Sequence, residues 1–122
     1  MVYVTGYTAE TDHEEPALVG FLRADKGATM RATRYGRTFV REVPPNGSVT
    51  LLEAAALLHR RDPTTGELTP VTRIAFYQWA RAGRIATVRK RSRPNTRAVV
   101  HVTMPELRRF ARVNGFTFRR AD

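Results

Sequence analysis

The chain has 122 residues, 42% of them hydrophobic and none of them cysteine. That length and apolar content suit one domain, or one small domain with an appendage, and exclude wholesale disorder, disulfide bonds and thiolate metal sites. A formal charge of +10 points to a polyanionic partner, either nucleic acid or an acidic membrane surface.

The charge is unevenly placed. Residues 1–47 hold six basic and six acidic side chains and are neutral, whereas residues 48–122 hold the other 15 basic and 5 acidic ones. Nineteen of the 21 basic residues are Arg, whose planar fork of donors suits phosphates and guanine edges. A GC-rich genome accounts for the same bias equally well. The longest apolar run beside a helix, Ala54 to Leu58, is far short of a membrane span. No basic segment followed by an apolar stretch opens the chain, so no secretory signal is expected and the cytoplasm is the default location.

In chain order, Val2 to Thr8 reads as a short strand. Glu14 to Ala24 reads as a helix, with Pro16 near its start and Leu18, Val19, Phe21 and Leu22 as its apolar stripe. Met30 to Val43 reads as a hairpin turning at Tyr35-Gly36-Arg37. Pro44-Pro45-Asn46-Gly47 is a break, and is taken as the boundary between an N-terminal appendage (1–47) and a basic domain (48–122).

The basic segment opens with Thr50-Leu51-Leu52-Glu53. This is a capping box, in which hydroxyl and carboxylate satisfy free helix-start amides reciprocally. The helix runs on through Leu58, and Asp62 to Gly66 forms a turn or small loop. A second helix is expected from the N-cap Thr72 to Gly83, with Thr69-Pro70 as an alternative start. Its apolar face is Val71, Ala75, Phe76, Trp79 and Ala80. Two strands, Ile85 to Arg89 and Ala98 to Val102, flank the basic loop Lys90 to Arg97. A second capping box, Thr103 to Glu106, starts a last helix with Leu107, Phe110 and Ala111 inward and Val113 a further candidate. Asn114-Gly115 stops it, and Phe116 to Arg120 forms a short strand or tail.

The succession helix, loop, helix, basic hairpin, helix suits DNA. One helix fits the major groove, and a basic hairpin tip lies on phosphates or in the adjacent minor groove. Residues 48–112 resemble the excisionase-type branch of the MerR-like winged helix-turn-helix domains. The residues that carry the likeness are Thr50-Leu-Leu-Glu-Ala-Ala-Ala-Leu-Leu58, the string Val71-Thr-Arg-Ile-Ala-Phe-Tyr-Gln-Trp-Ala-Arg-Ala-Gly-Arg-Ile85, the basic hairpin, and Met104-Pro-Glu-Leu-Arg-Arg-Phe110. The resemblance implies an α+β fold, a winged helix-turn-helix preceded by a small β-α-β-hairpin appendage. It places Arg73, Ile74, Tyr77 and Gln78 on the recognition helix, Arg91, Arg93 and Arg97 on the wing, and Phe76, Trp79 and Ile85 in the core. Arg81, Arg89 and Lys90 complete the expected DNA-binding set. The chain departs from the family in two places: His59 to Pro70 replaces a tight turn, with Arg60 and Arg61 as further contacts, and residues 1–47 have no counterpart.

The expected function is therefore a non-catalytic double-stranded DNA-binding protein, a transcription regulator or an architectural recombination factor. The alternative is a phage- or plasmid-type assembly protein that uses the winged helix as a scaffold and binds itself or another protein through residues 1–47. RNA binding through the hairpin is a third, weaker option. No cofactor, metal site or catalytic set is expected. Glu53 and Glu106 are placed to cap helices, and His13, His59 and His101 lack ligand spacing. Gly27, Gly36, Gly47, Gly66, Gly83 and Gly115 sit at turns or caps, with no phosphate-binding loop.

Overall fold

A computed structural model describes residues 17–91 and 93–120. The apolar hexapeptide Ala17–Leu22 is a strand, β1, and not the helix expected over 14–24. It alternates as a strand must: Leu18, Gly20 and Leu22 point inward, Val19 and Phe21 outward. The same six residues can be read at helical or strand spacing, and pairing decides between them. β1 pairs antiparallel with β2 (Ala28–Arg34), which pairs with β3 (Arg37–Val43). The expected β-α-β-hairpin appendage is thus a three-stranded antiparallel meander across its described residues. The strand expected over 2–8 lies outside them. At the β2–β3 turn Tyr35 and Gly36 both have positive φ, 53° and 73°, the conformation whose twist matches a two-residue hairpin.

Pro44 to Gly47 forms a tight turn, closed by the Gly47 N–H donating to the Pro44 carbonyl at 2.9 Å. Beyond it come β4 (Ser48–Thr50) and helix α1 (Leu51–Leu57). The capping box forms as expected: Thr50 Oγ1 accepts from the Glu53 N–H at 3.1 Å and Glu53 Oε1 accepts from the Thr50 N–H at 3.0 Å. α1 is only seven residues long, too short to persist without packing. The meander supplies that packing. Gly20 lets β1 approach closely, because a Cβ there would lie 2.8 Å from Met30 Sδ and 3.1 Å from Leu57 Cδ2.

The chain then turns directly into β5 (Leu58–Arg61), so Leu58 starts a strand and does not end the helix. β5 and β6 (Leu68–Pro70) make a hairpin whose turn is closed by the Asp62 carboxylate accepting from the Thr64 N–H at 2.8 Å. Thr69-Pro70 is therefore strand, and the second helix, α2 (Arg73–Arg81), starts after Thr72, whose hydroxyl accepts from the Ala75 N–H at 3.1 Å. Gly83 sits in the left-handed conformation past its end. Strands β7 (Val88–Lys90) and β8 (Val99–Thr103) pair antiparallel, and β4 adds to β8 to give a second sheet in the order β4-β8-β7. Helix α3 (Met104–Asn114) ends at Gly115, φ 75°, and leads into β9 (Phe116–Phe118), which pairs with β5 in a third sheet of order β6-β5-β9.

The described residues thus form an α+β fold with three helices and three small antiparallel sheets. Met30 and Val43 of the meander share one buried cluster with Leu57 and Leu58, Phe76, Ile85, Val102, Leu107 and Phe110. The core thus runs unbroken across the expected boundary at 44–47. Val113, a candidate inward residue, is 66% exposed, because α3 turns that position away from the cluster. Among the described residues no helix is long and apolar enough to cross a membrane.

An ion pair crosses the same boundary. The Glu53 carboxylate is fully buried (0% exposed), and Arg41 of β3 donates to it from Nε at 3.1 Å and Nη2 at 2.7 Å. Arg41 Nη2 also donates to the Ser48 carbonyl at 3.0 Å. Removing one partner of a buried pair strands the other charge, which costs about 3–5 kcal/mol. Arg41→Met is expected to destabilise by that amount in urea titration, and a chain starting at Ser48 to lose cooperative unfolding. A shift under about 1 kcal/mol for Arg41→Met, the scale of an exposed pair, would refute the role given to this one.

Candidate nucleic-acid interface

The expected helix residues fall on one face. At about 100° per residue, Arg73, Tyr77, Arg81, Ile74 and Gln78 span an arc of about 140°, opposite Phe76 and Trp79. All five are exposed, Ile74 at 65% and Tyr77 at 47%. The Arg73 guanidinium lies 5.9 Å from the Tyr77 ring centroid, a stacking that holds the side chain while leaving donors free.

The second group is on the β7–β8 hairpin. Arg89 and Lys90 are exposed on β7, where successive side chains point to opposite sides, so the two do not share a face. In the loop, Thr96 accepts from the Arg93 N–H at 3.1 Å and donates from Oγ1 to the Arg93 carbonyl at 2.7 Å, closing a turn around Pro94-Asn95. Arg91 Nη1 donates to the Thr96 carbonyl at 2.9 Å, so Arg91 braces this loop from within. Arg93 and Arg97 are exposed and have no ion pair among the described residues.

Between Glu67 and Glu106 the sequence contains eight basic side chains and no carboxylate. That acid-free run is a property of the sequence alone, and it adds Arg84 to the expected set. Arg84 lies over the Trp79 ring at 6.0 Å and donates to Asn114 Oδ1 at 3.1 Å. Arg60, from the β5–β6 hairpin, stacks on Trp79 at 5.8 Å and on Phe116 at 5.7 Å. Trp79 is partly buried, in contact with Phe76, Phe110 and Phe116 at 5.2–5.5 Å between centroids. It is thus the back wall of α2 and a platform for two guanidinium groups.

Most described acidic residues are engaged elsewhere. Asp25 and Glu42 pair with Arg23, Glu53 with Arg41, and Asp62 closes its turn. Glu106 departs from expectation. Thr103 Oγ1 accepts from the Glu106 N–H at 3.3 Å, but the carboxylate does not complete a capping box. It turns to the hairpin base, accepting from the Ala86 N–H at 2.8 Å and from Arg109 Nε and Nη2 at 2.7 and 2.6 Å. Among the described residues no cluster of three or more His, Asp or Glu side chains is placed to hold a metal ion.

Comparison with family models, with characterised proteins and with solved structures gives no match for this chain.

The Arg109 hydrogen bonds, followed by the bond from Ala86, hold the Glu106 carboxyl at about 2, against an ordinary 4.5. A carboxyl whose folded pKa is depressed stabilises the fold above its unfolded value, and the gain disappears as pH falls through the folded one. The difference in melting temperature between wild type and Glu106→Gln is expected to be constant above about pH 5.5 and to shrink between about pH 4.5 and 2. A pH-independent difference across that range would contradict the pairing.

Proposed function

We propose that this protein is a non-catalytic double-stranded DNA-binding protein of winged helix-turn-helix type, serving as a transcription regulator or an architectural recombination factor. On this reading the exposed face of α2 enters the major groove, and the β7–β8 hairpin lies on phosphates or in the neighbouring minor groove. Arg73 and Gln78 are suited to base edges, and Ile74 to a thymine methyl. Arg81, Arg89 or Lys90, Arg93 and Arg97 would supply phosphate contacts, joined by Arg60 and Arg84.

The observation that carries the reading is the acid-free basic run. Eight cations lie between Glu67 and Glu106, and the ion pairs described above engage none of them. Such a density of like charge repels itself, and a polyanion relieves it. A second reading, an assembly protein that binds itself or another protein through residues 1–47, is favoured by the outer face of the meander. There Val19, Arg31 and Val40 form one cross-strand row, with Val40 58% exposed.

Fluorescence anisotropy with duplex DNA across a salt series tests the first reading. Because Arg91 is committed to its own loop, the informative variant is Arg93→Ala/Arg97→Ala. It is expected to weaken binding at every sequence and to lower the slope of log K against log salt by about 2, roughly one for each phosphate that the substituted arginines would neutralise. No preference for duplex DNA over single strands, or an unchanged slope, would remove the hairpin from the interface. Val40→Asp tests the second reading: a change of oligomeric state by sedimentation, with duplex binding absent, would favour it.

A further inference from the structure

A cleft of about 390 Å³ lies between the β1–β2 turn, α3 and β9, and no residue of α2 or of the β7–β8 hairpin lines it. Its apolar surface comes from Leu22, Ala111, Phe116 and Phe118, and its charge from Lys26, Arg108, Arg112 and Arg120. Among the described residues no carboxylate lines it. Four cations around one concavity repel one another, and the ion pairs described above engage none of the four.

One of the four is fixed in advance. Arg108 Nη1 donates to the Lys26 and Pro45 carbonyls, each at 3.1 Å, which anchors the guanidinium plane across the turn–helix junction. Its Nη2 has no partner among the described residues and remains available to an anion. Lys26 is itself held in the left-handed region at φ 68°, a conformation that costs a non-glycine residue energy. The turn is stabilised in that shape by the Asp25 carboxylate accepting from the Gly27 N–H at 2.9 Å and by the Lys26 N–H donating to the Arg23 carbonyl at 2.8 Å.

We propose that this cleft binds a small amphipathic anion: a phosphate or carboxylate head held by Arg108, Arg112, Arg120 and Lys26, joined to an apolar or aromatic body lying against Phe116 and Phe118. The volume falls within the range of about 300–1,000 Å³ typical of small-molecule sites, and apolar walls with a few convergent polar groups are their usual lining. A bare inorganic anion would leave the apolar wall uncovered, and a neutral apolar molecule would leave the four cations without a counter-charge. The site does not depend on the DNA-binding reading, since it shares no residue with that set.

The chain supplies its own reporter. Trp79 is the single tryptophan, and it contacts Phe116, a wall of the cleft, at 5.2 Å between centroids. Phenyl phosphate, inorganic phosphate and phenol are the probes, titrated against full-length protein while Trp79 emission is followed. Phenyl phosphate is expected to bind saturably and at least tenfold more tightly than either other probe. Arg112→Glu/Arg120→Glu, both exposed positions, is expected to weaken phenyl phosphate at least tenfold with an unchanged circular dichroism spectrum, whereas Arg93→Ala/Arg97→Ala is expected to leave it unchanged. Amide shifts of Ala111, Phe116 and Phe118 provide a second readout independent of tryptophan emission. Equal affinity for phenyl phosphate and inorganic phosphate would overturn the amphipathic assignment. An undiminished affinity in the charge-reversed variant, or no saturable binding of phenyl phosphate by either readout, would overturn the site.

Discussion

The fully buried carboxylate of Glu53 is the constraint on which the rest of this fold depends. A charge inside a protein is tolerated only when its oxygens are met by donors, and here those donors come from two directions. The Thr50 N–H approaches from the start of α1, and the Arg41 guanidinium from β3. One side chain therefore closes a helix cap and joins the N-terminal meander to the basic segment. Because α1 has only seven residues, its persistence rests on that closure and on Gly20 and Met30 packed against Leu57. α2 in turn packs on α1. The orientation of the exposed α2 face is thus set by residues that look, in sequence, like an appendage.

Charge is sorted by the same logic. Glu53 joins β3 to α1, Glu42 and Asp25 hold the Arg23 side chain against the meander, and Glu106 fastens the base of the β7–β8 hairpin to α3. Carboxylates serve the joints between elements. Most of the excess of Arg lies at three surfaces, the outer face of α2, the hairpin tip and the cleft beside α3, where Arg91 and Arg108 also brace backbone carbonyls. The net charge of +10 is consequently concentrated in patches, and patches focus a field that an even distribution would not.

What the sequence made legible was local. Thr50, Thr72 and Thr103 as N-caps, and Gly83 and Gly115 as left-handed stops, are set by bonds spanning three or four residues, and each stands where its neighbours indicated. The exposed face of α2 follows from helical spacing alone. What was hidden was long-range. Ala17–Leu22 reads equally at two periodicities, and only its pairing with β2 makes it a strand. Nothing around Arg41 marks it as the partner of Glu53, twelve positions on. The hairpin formed by His59 to Pro70 also pairs through β5 with β9, over fifty positions away. Arg91 and Arg93 are alike in sequence, but one braces the loop and the other faces solvent.

The aromatic cluster joins these parts. Trp79 rests on Phe110 of α3 and Phe116 of β9, and it carries the guanidinium groups of Arg60 and Arg84 on its ring. A guanidinium stacked on indole loses little further freedom when it meets an anion, so its ordering cost is met in the free protein. The β5–β6 hairpin brings Arg60 to the indole and so fixes a cation at the flank of α2. Ile74 and Tyr77 are exposed between Arg73 and Arg81. On the DNA-binding reading proposed above, apolar and aromatic groups set among cations on a helix would hold a charged backbone and also distinguish the base edges beside it.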